Sequence, residues 1–166
     1  LDSTSISSSY VEHIYVAKDG SLWLGTWGGG LNHFNPGTEV FTAYSFDAND
    51  PNSLSNNFVS DVLEDEQGNI WVATQYGVNR LDSKTQKFKH FLNNPDDERS
   101  LSYNICSKIF MDAEGILWFG TGWVWEDSEA GGLNRYHSQT EDFTRYTHDS
   151  KNSKSLISNK VMEIFE

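Results

Sequence analysis

Gly68-Asn69-Ile70-Trp71-Val72-Ala73-Thr74 decides the fold, because the chain writes it three times. The earlier copy is Gly20-Ser21-Leu22-Trp23-Leu24-Gly25-Thr26, and the later one is Gly115-Ile116-Leu117-Trp118-Phe119-Gly120-Thr121. Trp23 and Trp71 lie 48 residues apart, and Trp71 and Trp118 lie 47 apart. A period of this length, carried by a short β-prone run around a single Trp, predicts the blades of a β-propeller.

Each repeat reads outward from this run as four short strands. In the first, Tyr10 to Val16 is β-branched and aromatic, and Lys18-Asp19-Gly20 is a turn. The Trp23 run is the second strand, and Trp27-Gly28-Gly29-Gly30 is a loop. Leu31 to Phe34 alternates apolar and polar, Asn35-Pro36-Gly37 turns the chain, and Val40 to Tyr44 completes the blade. A polar connection then runs to Leu54, with counterparts ending at Leu101 and Leu156. The last spacing is longer because the third repeat carries extra residues between Gly122 and Gly131. The repeats span about 7–54, 55–101 and 102–156, and residues 157–166 read as the first strand of a fourth, with Ile14, Val62, Ile109 and Ile164 in register. No run shows a sustained apolar stripe of helical period. The expected fold is all-β: three four-stranded antiparallel blades plus the first strand of another, an incomplete β-propeller. Closure takes typically about 4–8 blades. The chain is therefore expected to be a segment of a longer protein, or to complete a ring with another copy as a homo-oligomer. It opens at Leu1 inside repeat sequence, which favours the first expectation.

Composition narrows the partners. The formal charge is −12, from 12 Lys and Arg against 24 Asp and Glu, which argues against nucleic acid, whose recognition rests on clustered cations. A neutral ligand, a cation or a basic protein surface is compatible with it. Cys106 is the single cysteine, so no disulfide forms within the chain. No run is long enough to span a bilayer, and no direct membrane contact is expected.

The motifs Asp112 to Thr121, Gly132-Leu133-Asn134-Arg135-Tyr136, Phe143 to Tyr146 and Ser53-Leu54-Ser55-Asn56-Asn57 together resemble the two-component regulator propeller repeat. The resemblance covers nearly the whole chain. It implies the periplasmic sensor region of a hybrid two-component histidine kinase, with sensing of glycan fragments and relay to a kinase. It hands over no ligand residues. Three departures are local: Ala17 stands at the turn aspartate of repeat one, His33 stands where repeats two and three have Arg80 and Arg135, and Gln75-Tyr76 interrupts the glycine-rich loop.

Cys106 shares its register with Val11, Val59 and Val161 and reads as a core residue rather than a nucleophile. The turns at Asp65-Glu66-Gln67-Gly68 and Asp112-Ala113-Glu114-Gly115 lack the ligand order and twelfth-position glutamate of a calcium loop. His13, His33, His90, His137 and His148 form no metal-ligating pair, so neither a metal nor a cofactor is expected. The candidate binding residues are positional. Because strands alternate in direction, the loops after each second strand share a face with the connections between blades. That face collects Trp27, Tyr76, Trp123 and Trp125, with Glu126, Asp127 and Glu129 nearby. Exposed rings there suit an oligosaccharide or a protein anchor, or else simply cover the blade ends. An insertion that departs from the repeat is the better functional candidate. A purely structural or dimerising role is the first alternative. The second is a propeller lyase or hydrolase, for which His13, Asp61, Lys108 and Glu163, in one register on the first strands, are the candidate residues.

Overall fold

Runs of β-branched and aromatic residues, cut by turns with glycine at positive φ, give the chain its strands. The structure is a computed structural model that describes residues 5–165. The first sheet holds β1 (Val11–Val16), β2 (Leu22–Thr26), β3 (Gly30–Asn35) and β4 (Val40–Tyr44). The second holds β5 (Val59–Glu64), β6 (Ile70–Thr74), β7 (Gly77–Leu81) and β8 (Phe88–Phe91), and the third β9 (Cys106–Met111), β10 (Leu117–Thr121), β11 (Gly132–His137) and β12 (Asp142–Tyr146). Each sheet runs in sequence order, antiparallel throughout, and no helix occurs among the described residues. The turns before β2, β6 and β10 use Gly20, Gly68 and Gly115 at φ of 82°, 81° and 77°, where a side chain would be strained.

The sheets stack face to face, and pairing fixes which residues meet. Trp71 and Ala73 point to one side of β6 and join a core with Phe91, Ile109, Phe119, Tyr136 and Phe143. Ile70 and Val72 point to the other and meet Trp23, Leu31 and Phe88. Trp71 is 1% exposed, its ring 4.8 Å from Tyr136 and 5.4 Å from Phe119 in the third sheet. Trp23 is likewise buried against the second sheet, but Trp118 is not between blades. It is half-buried, with Tyr146 at 6.0 Å and the Arg135 guanidinium 5.9 Å from its ring, because no further sheet covers that side. On the opposite end of the stack, Ile14 and Val16 of β1 are 56% and 65% exposed.

The residue before each threonine of the repeated run is small for a reason of approach. A Cβ on Gly25 would lie 2.7 Å from Val59 Cγ1, the first-strand residue of the next blade. A Cβ on Gly120 would lie 2.5 Å from the Val161 carbonyl oxygen. Residues 157–165 thus run beside β10, with Val161 N donating to Thr121 O at 3.1 Å, but they form no strand. In each of the three sheets the first strand is held by its own second strand.

Candidate functional site

Two places gather chemistry-bearing side chains. One is the loop face. Trp27, just after β2, forms a bridge with Phe58, just before β5, and their rings meet edge to face at 4.8 Å. The Trp123 ring of the third-blade insertion lies 6.5 Å from Trp27, nearly parallel at 25°. Three blades therefore contribute one ring each to a single patch. Beside it, Tyr103 Oη donates to Glu126 Oε2 at 2.8 Å, a bond that raises the Tyr103 pKa, and Lys160 Nζ donates to the Glu126 carbonyl at 2.6 Å. Asn159 Nδ2 holds the Glu129 carbonyl at 2.8 Å. The inserted loop is thus fixed at both Glu126 and Glu129 to the segment that follows the third blade.

Of the residues expected from sequence, Trp27 and Trp123 come together and Glu126 is tied in beside them. Trp125 stands out into solvent at 83% exposure. Tyr76, half exposed, makes no ring contact among the described residues, and Asp127 likewise shows no polar partner among them. Sequence reasoning missed Phe58, Tyr103 and Lys160. Phe58 and Lys160 occupy the position immediately before each first strand, shared with Tyr10 and Ile105, and Tyr103 fills the variable place in Ser-Leu-Ser-x-Asn. These are positions where the repeat constrains nothing, which was the available signal.

The other place is the row of first strands. Each carries a bulge at the same repeat position, between Val11 and His13, between Val59 and Asp61, and between Cys106 and Lys108. A bulge re-aims the residue beyond it. His13 Nδ1 lies 3.0 Å from Asp61 Oδ1, and Lys108 Nζ lies 3.5 Å from Asp61 Oδ2 and 3.0 Å from Glu163 Oε1. The four residues of the lyase alternative do therefore meet, along an open groove of about 620 Å³. Their chemistry is that of a fastener. Asp61 is buried and also accepts from the backbone N–H of Val62 at 2.9 Å and of Ile109 at 2.8 Å, which engages both oxygens. Burial opposes the Lys108 charge, but Asp61 and Glu163 outweigh it and raise its pKa, so Lys108 stays an ammonium and offers no base. Cys106 is buried in the core, and burial drives its thiol pKa upward, away from thiolate chemistry. No group of three or more metal-ligating side chains occurs among the described residues.

Residues 5–28 and 53–76 match the profile of the two component regulator propeller family. The match covers 48 of the chain's 166 residues. Over 93% of the chain, with a TM-score of 0.68 and 27% identity, the structure resembles the extracellular domain of BT4673 from B. thetaiotaomicron, described as a hybrid two component system. The extracellular domain of BT3049 from the same organism, also described as a hybrid two component system, is similar over 99% of the chain at 21% identity and a TM-score of 0.56. Virginiamycin B lyase from Staphylococcus aureus shares the fold over 84% of the chain at 16% identity and a TM-score of 0.59. The chain spans 19%, 32% and 42% of those three proteins respectively. Comparison with curated proteins gave no match. In the three repeats of this chain the recurring residues are accounted for by blade construction, and the aromatic patch of the loop face falls outside them.

Proposed function

We propose that this chain is part of the periplasmic, extracytoplasmic sensor region of a two-component sensor histidine kinase, and that it binds a ligand without catalysing a reaction. Its ligand is an oligosaccharide, taken on the loop face by Trp27, Phe58, Trp123 and Trp125. The observation that supports this is the meeting of Trp27 and Trp123 from blades one and three at 6.5 Å, beside the exposed Trp125. Flat rings offer apolar faces to a sugar ring while Glu126 and Asp127 border the patch with acceptors. Tyr76 extends the aromatic surface over the second blade. The hybrid two-component systems that the fold resembles support the sensor assignment.

The test is binding of defined oligosaccharides by the chain and by Trp125→Ala and Trp123→Ala. Trp125 is exposed, so its loss leaves folding intact. A tenfold or greater loss of affinity is expected. Unchanged affinity in both variants would sink the loop-face reading.

A second observation supports a structural role alongside. The third sheet leaves Trp118, Arg135 and Tyr146 uncovered, and the first sheet leaves Ile14 and Val16 uncovered. Those are the same two kinds of face that meet between the blades already stacked. Further blades, from the parent chain or from another copy, cover them. Sedimentation of the chain checks the second possibility: a monomer at all accessible concentrations would leave only the first.

A further inference from the structure

Blade one departs from its own repeat around its tryptophan. In the other two blades the indole N–H is bonded to the turn aspartate: Trp71 Nε1 donates to Asp65 Oδ2, and Trp118 Nε1 to Asp112 Oδ2, each at 2.8 Å. In blade one that aspartate is Ala17. Trp23 is only 7% exposed, yet its indole N–H has no acceptor among the described residues. The cation is missing too. The Arg80 and Arg135 guanidinium groups lie 5.6 and 5.9 Å from the rings of Trp71 and Trp118, whereas His33 stacks on Trp23 at 4.3 Å. Across the interface the change repeats. Glu141 of blade three holds Arg80 at 2.8 Å, but the residue at that place in blade two is Gln86. Between blades one and two, Trp23, His33, Tyr44 and Gln86 line a cleft of about 280 Å³. The half-buried Tyr44 hydroxyl, like the indole N–H, has no hydrogen-bond partner among the described residues.

We propose that this cleft is a binding site for a small, uncharged, oxygen-rich molecule of about the size of one hexose. One ligand oxygen accepts from Trp23 Nε1, in the place that the Asp65 and Asp112 carboxylates fill in the sister blades, and a second bonds the Tyr44 hydroxyl. The volume sits at the small end of ligand pockets. The Trp23 indole N–H is not sealed from solvent, so a ligand oxygen in the cleft takes the place of water as its acceptor. Neutrality follows from what surrounds the cleft. The carboxylate and the guanidinium are lost together, and burial holds His33 below its ordinary pKa, so the imidazole is uncharged at neutral pH. Asp19, kept ionised by hydrogen bonds from Ser21, and Glu64 both border the cleft and repel an anion. The one nearby ammonium, Lys18 Nζ, is already bonded to the Asp65 carbonyl at 2.7 Å.

The test follows the Trp23 indole N–H resonance, assigned with Trp23→Phe, while the chain is titrated with glucose, glucuronate and glucosamine, one ring in three charge states. Glucose is expected to shift it saturably, with a Kd of about 1 mM or tighter, and the two charged rings at least tenfold more weakly. Ala17→Asp supplies the carboxylate internally and is expected to abolish the response, and Tyr44→Phe to weaken it several-fold. The other five indole resonances report whether either variant is folded. A Trp23 resonance that ignores all three sugars, or that responds equally in Ala17→Asp and Tyr44→Phe, overturns the site, and tighter binding of glucuronate overturns its neutral character. The loop-face aromatics are not involved, so this site and the oligosaccharide patch fail or stand separately.

Discussion

Asn79 and Ser55 hold each other by two hydrogen bonds. Ser55 N donates to Asn79 Oδ1 at 2.9 Å, and Asn79 Nδ2 donates to Ser55 Oγ at 2.8 Å. Asn79 is fully buried on β7, and Ser55 belongs to the segment entering the same blade at β5. The pairing recurs between Asn32 and Ser7 and between Asn134 and Ser102. It explains why Ser-Leu-Ser and Gly-Leu-Asn travel together in the repeat: one closes on the other. Asn79→Ala leaves the Ser55 N–H buried without a partner. The expected loss is about 2–3 kcal/mol in equilibrium denaturation. A loss within error of zero would mean that water replaces the amide.

Trp71 and Trp118 occupy one repeat position with unequal surroundings, and they should differ in consequence. Trp71→Ala removes a fully enclosed ring and is expected to cost about 3–5 kcal/mol. Trp118→Ala removes a ring with one side open, and less than half that loss is expected. Denaturant melts of both variants check the ratio. Equal losses would show that the Trp118 face is covered in solution.

His33 sets a pH dependence. Burial lowers its pKa below 6.5 in the folded chain, so between that folded value and 6.5 the unfolded chain binds the proton and the native chain does not. The stability it permits is complete above pH 6.5 and declines as pH falls toward the folded value. The charge that faces it is Asp19, which opposes the shift without reversing it. His33→Asn should remove this part of the acid sensitivity. Identical slopes of stability against pH for parent and variant, between pH 7 and the folded value, would refute the assignment.

Glu141 clasps both Arg80 and Lys89 of the neighbouring blade. The hydrogen bond from Lys89, then that from Arg80, depresses its pKa below 4.5, so its contribution is present above pH 4.5 and vanishes as pH drops through the folded value. The clasp is partly open to solvent. Glu141→Gln is therefore expected to cost less than about 1 kcal/mol at neutral pH, less still in high salt, and nothing once the parent carboxylate is protonated. Melting at several salt concentrations measures it.

The repeats made most of the fold legible. A Trp that returns at nearly fixed spacing, with a small residue two places on, reports a blade interface even in one sequence, because Gly25, Ala73 and Gly120 must admit the strand of the next blade. The same logic placed Cys106 in the core. It does not give the surroundings of Trp118, since the repeat encodes a face prepared for a neighbour and cannot say whether one is present. The loop-face patch was legible in outline. Trp27 and Trp123 belong to loops whose side of the sheet follows from strand direction alone. Their contact at 6.5 Å, and the parts played by Phe58 and Tyr103, depend on how far each blade is rotated against the next, which no local pattern records. The cleft beside Trp23 shows in the sequence as two departures, Ala17 and His33, whose consequence lies in the geometry of the intact sister sites.

The two sides of every sheet differ: one presents the tryptophan with an arginine or histidine packed on it, the other the apolar side chains that flank it along the strand. Stacking is therefore vectorial. A twofold axis passing through a single contact would set Trp118 against Trp118, or Ile14 against Ile14, and neither arrangement reproduces the buried contacts; a twofold along the propeller axis instead sets each Trp118 face on the Ile14 face of the other copy. Whatever completes this arc must approach head to tail, by a heterologous contact that closes if the rotation per blade divides the circle and otherwise leaves an open spiral.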